Sequence, residues 1–190
     1  QSMETGGLEN GIVNLVNHSN NDDFIVDILC LRARGELADR ITNPNSQVFF
    51  DGNQGHGKLL AIKKVYRQCK QQQYDIVHSH GFTTMLTCYI ASILHSTFVQ
   101  INGEHGTLYY GSLKKRLIQK FLFSRMALNL SVSANLKETI IRKFSITKDN
   151  FYPIINGVDS NTFSPALNST IRNELGIPEQ DIIIGSVGRL

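Results

Sequence analysis

Apolar positions along the chain follow two spacings, one typical of helices and one typical of strands. Leu8, Ile12 and Leu15 recur at helical spacing, and so do Leu59 and Ile62. Short, nearly continuous apolar runs separate such segments, as expected for strands covered on both faces. The pattern predicts helices over 8–19, 58–73, 82–95, 112–123, 134–144 and 170–175. It predicts strands over 23–31, 47–50, 75–81, 97–103, 127–133 and 181–188, and an extended segment over 151–159.

This alternation of strands and helices predicts an α/β fold, in which helices cover both faces of a parallel, Rossmann-like sheet. Ligands of such sheets bind where the strands end at their carboxyl edge. His78 and His80 end one predicted strand, and Glu104, His105 and Gly106 follow the next. The sequence therefore predicts a functional site at this edge.

Composition narrows the class of protein. The chain has 190 residues, enough for one domain with a full core, and 41% apolar residues exclude a disordered or fibrous chain. A net charge of +3 is too small to indicate nucleic acid. The three cysteines have neither metal-ligand spacing nor a disulfide pattern, and no apolar run reaches about 18 residues, so we expect a cytoplasmic protein. Residues 1–3 are typical of a tag remnant and are set aside from the fold.

Several motifs, in this order, carry a family resemblance: "GGLENGIVNLVNH", "YDIVHSHG", "INGEHGT", "LSVSANLKETI", "IINGVDSNTFSP" and "IIGSVGRL". Together they resemble the N-terminal half of bacterial family 4 glycosyltransferases with the GT-B fold, and among these the sugar transferases of exopolysaccharide and surface-glycan assembly. The resemblance implies an acceptor-side domain over 4–168. It implies that 169–190 is a link and the first strand of a donor-binding domain whose Glu-x7-Glu motif lies beyond this sequence.

The resemblance also implies an activity. Such enzymes move a sugar from a nucleotide-sugar to a glycan or lipid-linked acceptor with retention of configuration and without a metal cofactor. The half represented here would be inactive alone. A non-catalytic, Rossmann-like module that binds a nucleotide or a sugar is the alternative. An NAD-dependent dehydrogenase is excluded, because the chain lacks a G-x-G-x-x-G after a first strand.

Roles for single residues follow from the same resemblance. His105 is implied as the catalytic-site residue that faces the transferred sugar. Gly6 and Gly7 are implied in binding the donor phosphates and sugar, since glycines at a helix start let a phosphate approach the backbone. Arg189 is implied as a partner of the donor phosphates.

For other positions the resemblance implies a functional role, but a structural role would also explain the residue. His80 and Glu104 are expected to bind the acceptor, whereas His78 is expected in the core, and a metal on the histidine pair is a minor alternative. Asn156 and Gly157 are expected to form a hinge. Glu9 is explained as well by the dipole of its helix as by function.

A strand that the family places before the Gly6–Gly7 turn is absent from this sequence. We therefore expect a sheet without its first strand. One hypothesis is that 181–187 fills the vacant position within the molecule, or from a neighbouring copy as a strand-swapped dimer.

The predicted helix over 112–123 has a basic face formed by Lys114, Lys115, Arg116 and Lys120. A basic amphipathic helix can bind an anionic membrane surface, here the inner face of the cell membrane. An ordinary core helix with a solvated cationic face explains the pattern equally well. No RNA-binding motif accompanies the charge, so we expect no nucleic acid partner.

Overall fold

The computed structural model describes residues 2–19, 22–50, 57–94, 98–106, 112–146, 150–160, 163–164 and 170–185. The chain divides into two compact units, one up to Gly157 and one from Val158 onward. The domain boundary predicted after residue 168 stays a prediction.

The first unit contains six strands and five helices within its described residues. The strands are β1 (Ile28–Cys30), β2 (Val48–Phe50), β3 (Ile76–His80), β4 (Val99–Glu104), β5 (Leu128–Ser131) and β6 (Phe151–Pro153). The helices are α1 (Gly7–Asn17), α2 (Lys58–Gln72), α3 (Phe82–Leu94), α4 (Leu113–Arg125) and α5 (Ala134–Phe144), with a 3₁₀ helix at Glu36–Arg40. The second unit contains α6 (Ile171–Glu174).

All strand pairs that the structure describes are parallel. β1 pairs with β2, and β3, β4, β5 and β6 form a second sheet in that order. Within the described ranges no strand joins the two sheets. The expected lack of a first strand stays a prediction. The predicted Rossmann-like α/β class is confirmed.

Three apolar clusters hold the helices against the strands. One contains Val13 of α1 and Cys30 of β1. The second contains Cys69 of α2 and Cys88 of α3, and side chains from β1 and β3 both pack on it. The third is centred on Phe123 of α4, whose ring meets Phe144 and Phe151 edge-on at centroid distances of 5.4 and 5.2 Å.

Met3 lies inside the fold, although the sequence analysis set residues 1–3 aside. Its side chain is buried against Cys30 and Leu37, its N–H donates to the Arg34 carbonyl at 3.1 Å, and its carbonyl accepts from Leu37 N–H at 2.8 Å. Gly35 allows the Met3 backbone to lie this close to residues 34–37. Its φ angle is 76°, and a Cβ at residue 35 would overlap the Met3 backbone. Setting Met3 aside from the fold was therefore wrong.

Two strand predictions are also corrected. The run 23–31 forms a strand only at Ile28–Cys30, and Phe24 and Ile25 before it are exposed. The last predicted strand is wrong for 181–185, which form no strand and leave Ile182 and Ile184 exposed by 90% and 94%. Insertion of this segment into the sheet within the molecule therefore finds no support, and the strand-swapped dimer stays a hypothesis.

Candidate functional site

The tips of β3 and β4 lie side by side because the strands pair in register, with His80 opposite Gly103. Beyond the tips, Gly81 and Gly106 have φ angles of 80° and 109°, which glycine adopts without strain. Gly81 N–H donates to the Gly103 carbonyl at 3.0 Å and so fixes the first turn after β3 to β4. This arrangement brings the loop residue His105 to the end of β3.

Three imidazoles meet at these tips, and we call His78, His80 and His105 the imidazole row. His80 Nδ1 lies 3.0 Å from His105 Nε2, which is a hydrogen bond. The ring centroids of His78 and His80 are 4.2 Å apart, and those of His80 and His105 are 5.1 Å apart. The structure thus brings together His80 and His105, two of the predicted site residues.

Gly103 is what allows the three rings to converge. A Cβ at residue 103 would lie 3.0 Å from His80 Nδ1, 3.1 Å from His78 Nε2 and 3.2 Å from His105 Nε2. Such contacts are tighter than ordinary van der Waals distance, so any side chain here would displace at least one ring. The lack of a side chain at this position therefore shapes the row.

Burial keeps the row uncharged. It lowers the pKa of His78 to about 4 and holds the pKa of His80 well below its usual value, and the neighbouring imidazoles add to both effects. Burial also lowers the pKa of His105, while the negative charge of Glu9 acts in the opposite direction. All three rings are consequently neutral near neutral pH.

Helix α1 carries Glu9 in its first turn, and the charge of Glu9 acts to raise the pKa of His105 against the larger effect of burial. Gly6 is the N-cap, and no side chain caps the helix. The Glu9 carboxylate folds back against Gly6, where an added Cβ would overlap it, whereas nothing lies within 4 Å of a Cβ added to Gly7. The helix start therefore combines free backbone N–H groups with open space, which suits an anionic ligand.

Glu104 is adjacent to His105 in sequence but contacts different groups. Its side chain is 1% exposed, and its carboxylate accepts a hydrogen bond from Asn102 Nδ2 at 3.1 Å. Burial raises the pKa of Glu104 to about 7, an effect that the Asn102 hydrogen bond partly offsets. Its expected contact with an acceptor stays a prediction.

A buried polar network around Glu104 was not predicted from the sequence. Ser79 Oγ bonds to Asn102 Oδ1 at 3.0 Å, and Gln100 Nε2 donates to the Met85 carbonyl of α3 at 3.0 Å. A signal was present, because polar side chains at 100, 102 and 104 recur with the two-residue period that puts them on one face of a strand. The two-residue period therefore indicates that residues 100, 102 and 104 belong to the strand and not to the loop that follows it.

The remaining predicted positions lie elsewhere. Asn156 and Gly157 are exposed and lie where the two compact units meet in sequence, and their hinge role stays a prediction. Arg189 lies outside the described residues. Among the residues that the structure does describe, no three His, Cys, Asp or Glu side chains are grouped to hold a metal ion.

Helix α4 is more exposed than a core helix. It buries Gln119, Leu122 and Phe123, and Ser112 caps its start by accepting a hydrogen bond from Lys115 N–H at 3.3 Å. Its apolar residues Leu113, Leu117 and Phe121 are exposed by 72%, 58% and 44%. Four cations are exposed on the same helix, namely Lys114, Lys115, Arg116 and Lys120.

A parallel α/β unit with polar groups at its strand tips and an open helix start is typical of Rossmann-like domains. Comparison with known families makes this specific: the chain belongs to glycosyltransferase family 4, whose model matches residues 5–162.

One curated enzyme and one solved structure are also similar to this chain. The chain is 26% identical over 182 residues to an Escherichia coli enzyme named UDP-Gal:alpha-D-GlcNAc-diphosphoundecaprenol alpha-1,3-galactosyltransferase, covering 90% of this chain and 47% of the relative. It resembles the fold of a glycosyltransferase from Rickettsia africae ESF-5 with a TM-score of 0.74 at 16% identity, covering 93% of this chain and 48% of the other. The chain thus spans about half the length of each.

Proposed function

We propose that this chain is the acceptor-side half of a retaining glycosyltransferase. The enzyme transfers a sugar from a nucleotide-sugar to a glycan or lipid-linked acceptor in polysaccharide biosynthesis. The relative named above carries a lipid diphosphate in its name, which supports a lipid-linked acceptor. The two-domain GT-B arrangement, with the donor bound mainly by a second domain, belongs to the same proposal.

One structural observation carries this proposal: His105 lies at the tips of β3 and β4, where its Nε2 is 3.0 Å from His80 Nδ1, so two of the expected site residues share one edge of the sheet. Gly7 at the start of α1 has open space around it. A donor diphosphate at the free N–H groups of α1 would then bring its sugar toward His105. The protein contributes fixed dipoles and positioning, and the proposal requires no metal.

Full-length protein, assayed with a panel of nucleotide-sugars and a diphosphate-linked lipid acceptor, tests this function. We expect transfer from one donor with retention, and a loss of about 10²–10³-fold in kcat for His105→Ala, the usual cost of removing one preorganised hydrogen-bond donor. The exposed His18→Ala, at the far end of α1, is the matched control. Nucleotide or sugar binding without any transfer would support the non-catalytic module instead.

The proposal places the protein in the cytoplasm, peripherally bound to the inner face of the cell membrane. Support comes from α4, where the exposed stripe Leu113, Leu117 and Phe121 lies among cations, a combination that suits an anionic lipid surface. Arg116 also donates to the Lys143 carbonyl at 2.7 Å, which ties the helix to the end of α5. None of the helices in the described ranges is long and apolar enough to cross a membrane.

Sedimentation with lipid vesicles tests the membrane contact. We expect the protein to bind vesicles that contain anionic lipid, less so as salt rises, and not to bind neutral vesicles. Changing Lys114, Lys115, Arg116 and Lys120 to Glu should abolish binding. The matched control reverses four exposed charges on α2, namely Lys58, Lys63, Arg67 and Lys70. Equal losses in both variants would show that net charge, and not α4, is responsible.

A further inference from the structure

Helix α2 carries two stripes of side chains that differ in chemistry. Val65 and Cys69 belong to the apolar cluster that α2 shares with α3. A second stripe has the helical spacing i, i+3, i+4 and i+7 and consists of two cations and two amides, namely Lys64, Arg67, Gln68 and Gln71. A helix that covers a sheet usually presents apolar residues to it, so the second stripe departs from the pattern of a core helix.

A cavity of about 160 Å³ lies between this second stripe and strands β1 and β2. Leu29 and Phe49, which are opposite each other in the β1–β2 register, line it from the sheet, and Phe50 lines it as well. All four residues of the second stripe line it from α2. The cavity therefore has an apolar floor on the sheet and a polar, cationic wall on the helix.

The wall of the cavity is positively charged. Lys64 is only 6% exposed, whereas Arg67 and Gln71 are exposed, so the cavity is accessible from solvent. None of the described residues that line the cavity is acidic. A lysine ammonium has three N–H donors and can therefore hold an anion beside another partner, and an arginine guanidinium suits a carboxylate or a phosphate. The wall therefore suits a negatively charged group.

Hydrogen bonds outside the cavity hold its wall against the strands. Gln68 Nε2 donates to the Tyr74 hydroxyl at 3.2 Å, and this hydroxyl donates to Asp27 Oδ2 at 2.8 Å. The other carboxylate oxygen of Asp27 accepts from Gln47 N–H at 2.8 Å. Because Asp27 and Gln47 directly precede β1 and β2, the network ties α2 to both strands. The cavity is thus shaped before any ligand binds, which lowers the cost of binding.

We propose that this cavity binds a small aromatic anion, with its charged group between Lys64 and Arg67 and its ring on Leu29 and Phe49. Aromatic rings pack well against a phenylalanine ring, and the cations supply the opposite charge. The volume of about 160 Å³ is well below the roughly 300–1,000 Å³ of pockets for drug-sized ligands, so the ligand is smaller than a nucleotide-sugar. The cavity shares no residue with the imidazole row, so this proposal does not depend on the proposed function.

Ligand-detected NMR titrations of the full-length protein test the class of ligand. Benzoate and phenyl phosphate supply the two kinds of anionic group, benzamide is the neutral analogue of benzoate, and inorganic phosphate is an anion without a ring. We expect benzoate or phenyl phosphate to bind, benzamide to bind about tenfold more weakly or less, and inorganic phosphate to compete poorly. Equal binding of benzoate and benzamide, equal competition by inorganic phosphate, or no binding of either aromatic anion would overturn the proposal.

Single substitutions test the location of the bound anion. Lys64→Met keeps the length of the side chain but removes its charge, and we expect the affinity for the anion to fall about tenfold or more, the usual effect of losing a hydrogen bond to a charged group. Arg67→Gln changes an exposed residue that the fold does not need, and it should weaken binding as well. Lys63→Met, at the neighbouring exposed lysine of α2, is the matched control. If Lys64→Met and Arg67→Gln proteins, shown to be folded by urea unfolding, bind the anion as tightly as Lys63→Met, the cavity is not the binding site.

Discussion

The two faces of the β3–β4 pair both bury polar side chains, but these side chains have different surroundings. On one face Ser79, Asn102 and Glu104 hydrogen-bond to one another in a closed network. On the other face His78 and His80 lead to His105, which lies beyond the strand tips. Burial of a polar group therefore does not by itself indicate a functional site, and the site proposed above is the polar row that reaches the edge of the sheet.

Burial affects the titration of the two faces in opposite directions. It raises the pKa of Glu104 to about 7 and lowers the pKa of His78 to about 4, because in each case it disfavours the charged form. Near neutral pH the histidine face is thus uncharged, whereas Glu104 on the other face is only partly protonated. The pH dependence of the free energy of unfolding tests this difference between the two faces.

The largest expected effect is a pair of opposite pH dependences. Folded Glu104 keeps its proton between pH 4.5 and about 7 while the unfolded chain has lost it, so its contribution to the free energy of unfolding falls as pH rises, by up to about 3 kcal/mol. Folded His78 stays neutral between about 4 and 6.5 while the unfolded chain binds a proton, so its contribution rises with pH by a similar amount. Urea unfolding across this range measures both.

Single substitutions separate these contributions. Relative to the parent protein, Glu104→Gln should remove the falling contribution, and His78→Phe should remove the rising one. His18→Gln, at the exposed end of α1, serves as the control. If the difference curves of Glu104→Gln and His78→Phe slope in the same direction, burial does not govern both faces.

A smaller effect is expected at Gly103, where the imidazole row leaves no room. Gly103→Ala should lower the free energy of unfolding by about 1–3 kcal/mol, the typical cost of overpacking, and weaken the His80–His105 hydrogen bond. Gly11→Ala is the matched control, because Gly11 lies within α1 with nothing within 4 Å of an added Cβ. That change should stabilise by about 0.5–1 kcal/mol. Equal effects of the two changes in urea unfolding would show that the row tolerates a side chain.

The smallest effect is expected in the closed network. Ser79→Ala removes the hydroxyl that bonds to Asn102 Oδ1, and we expect a loss of about 1 kcal/mol in the free energy of unfolding. The nitrogen NMR signals of His105 should not change, because this network lies on the other face of the sheet. A change in these His105 signals would show that the two faces are coupled.

Periodicity predicted most of the fold because helices and strands of an α/β domain bury regular stripes. The five helices of the first unit and strands β2 to β5 lie where the pattern placed them. It failed at Ile182–Ile184, since a β-prone run forms a strand only when a partner strand accepts its hydrogen bonds. It overextended β1 for a related reason: Phe24 and Ile25 are apolar yet exposed.

The site was predictable to the level of a shared sheet edge. Parallel strands end together, so His80 and His105 were expected to be close, and the structure puts their nitrogens 3.0 Å apart. The sequence did not reveal that His80, and not the adjacent Glu104, contacts His105. That outcome depends on strand register, which sets His80 opposite Gly103 and directs Glu104 toward Asn102.

The three free cysteines can serve as chemical probes of local unfolding. Cys30, Cys69 and Cys88 are buried, and burial raises the thiol pKa at each, to about 11 for Cys69 and about 12 for Cys88. A thiol-specific reagent therefore labels them only when the surrounding structure opens and a thiolate can form. Cys30 reports on the packing of α1 against β1, and the other two report on the α2–α3 contact. Labelling rates would thus show which part of the domain opens first.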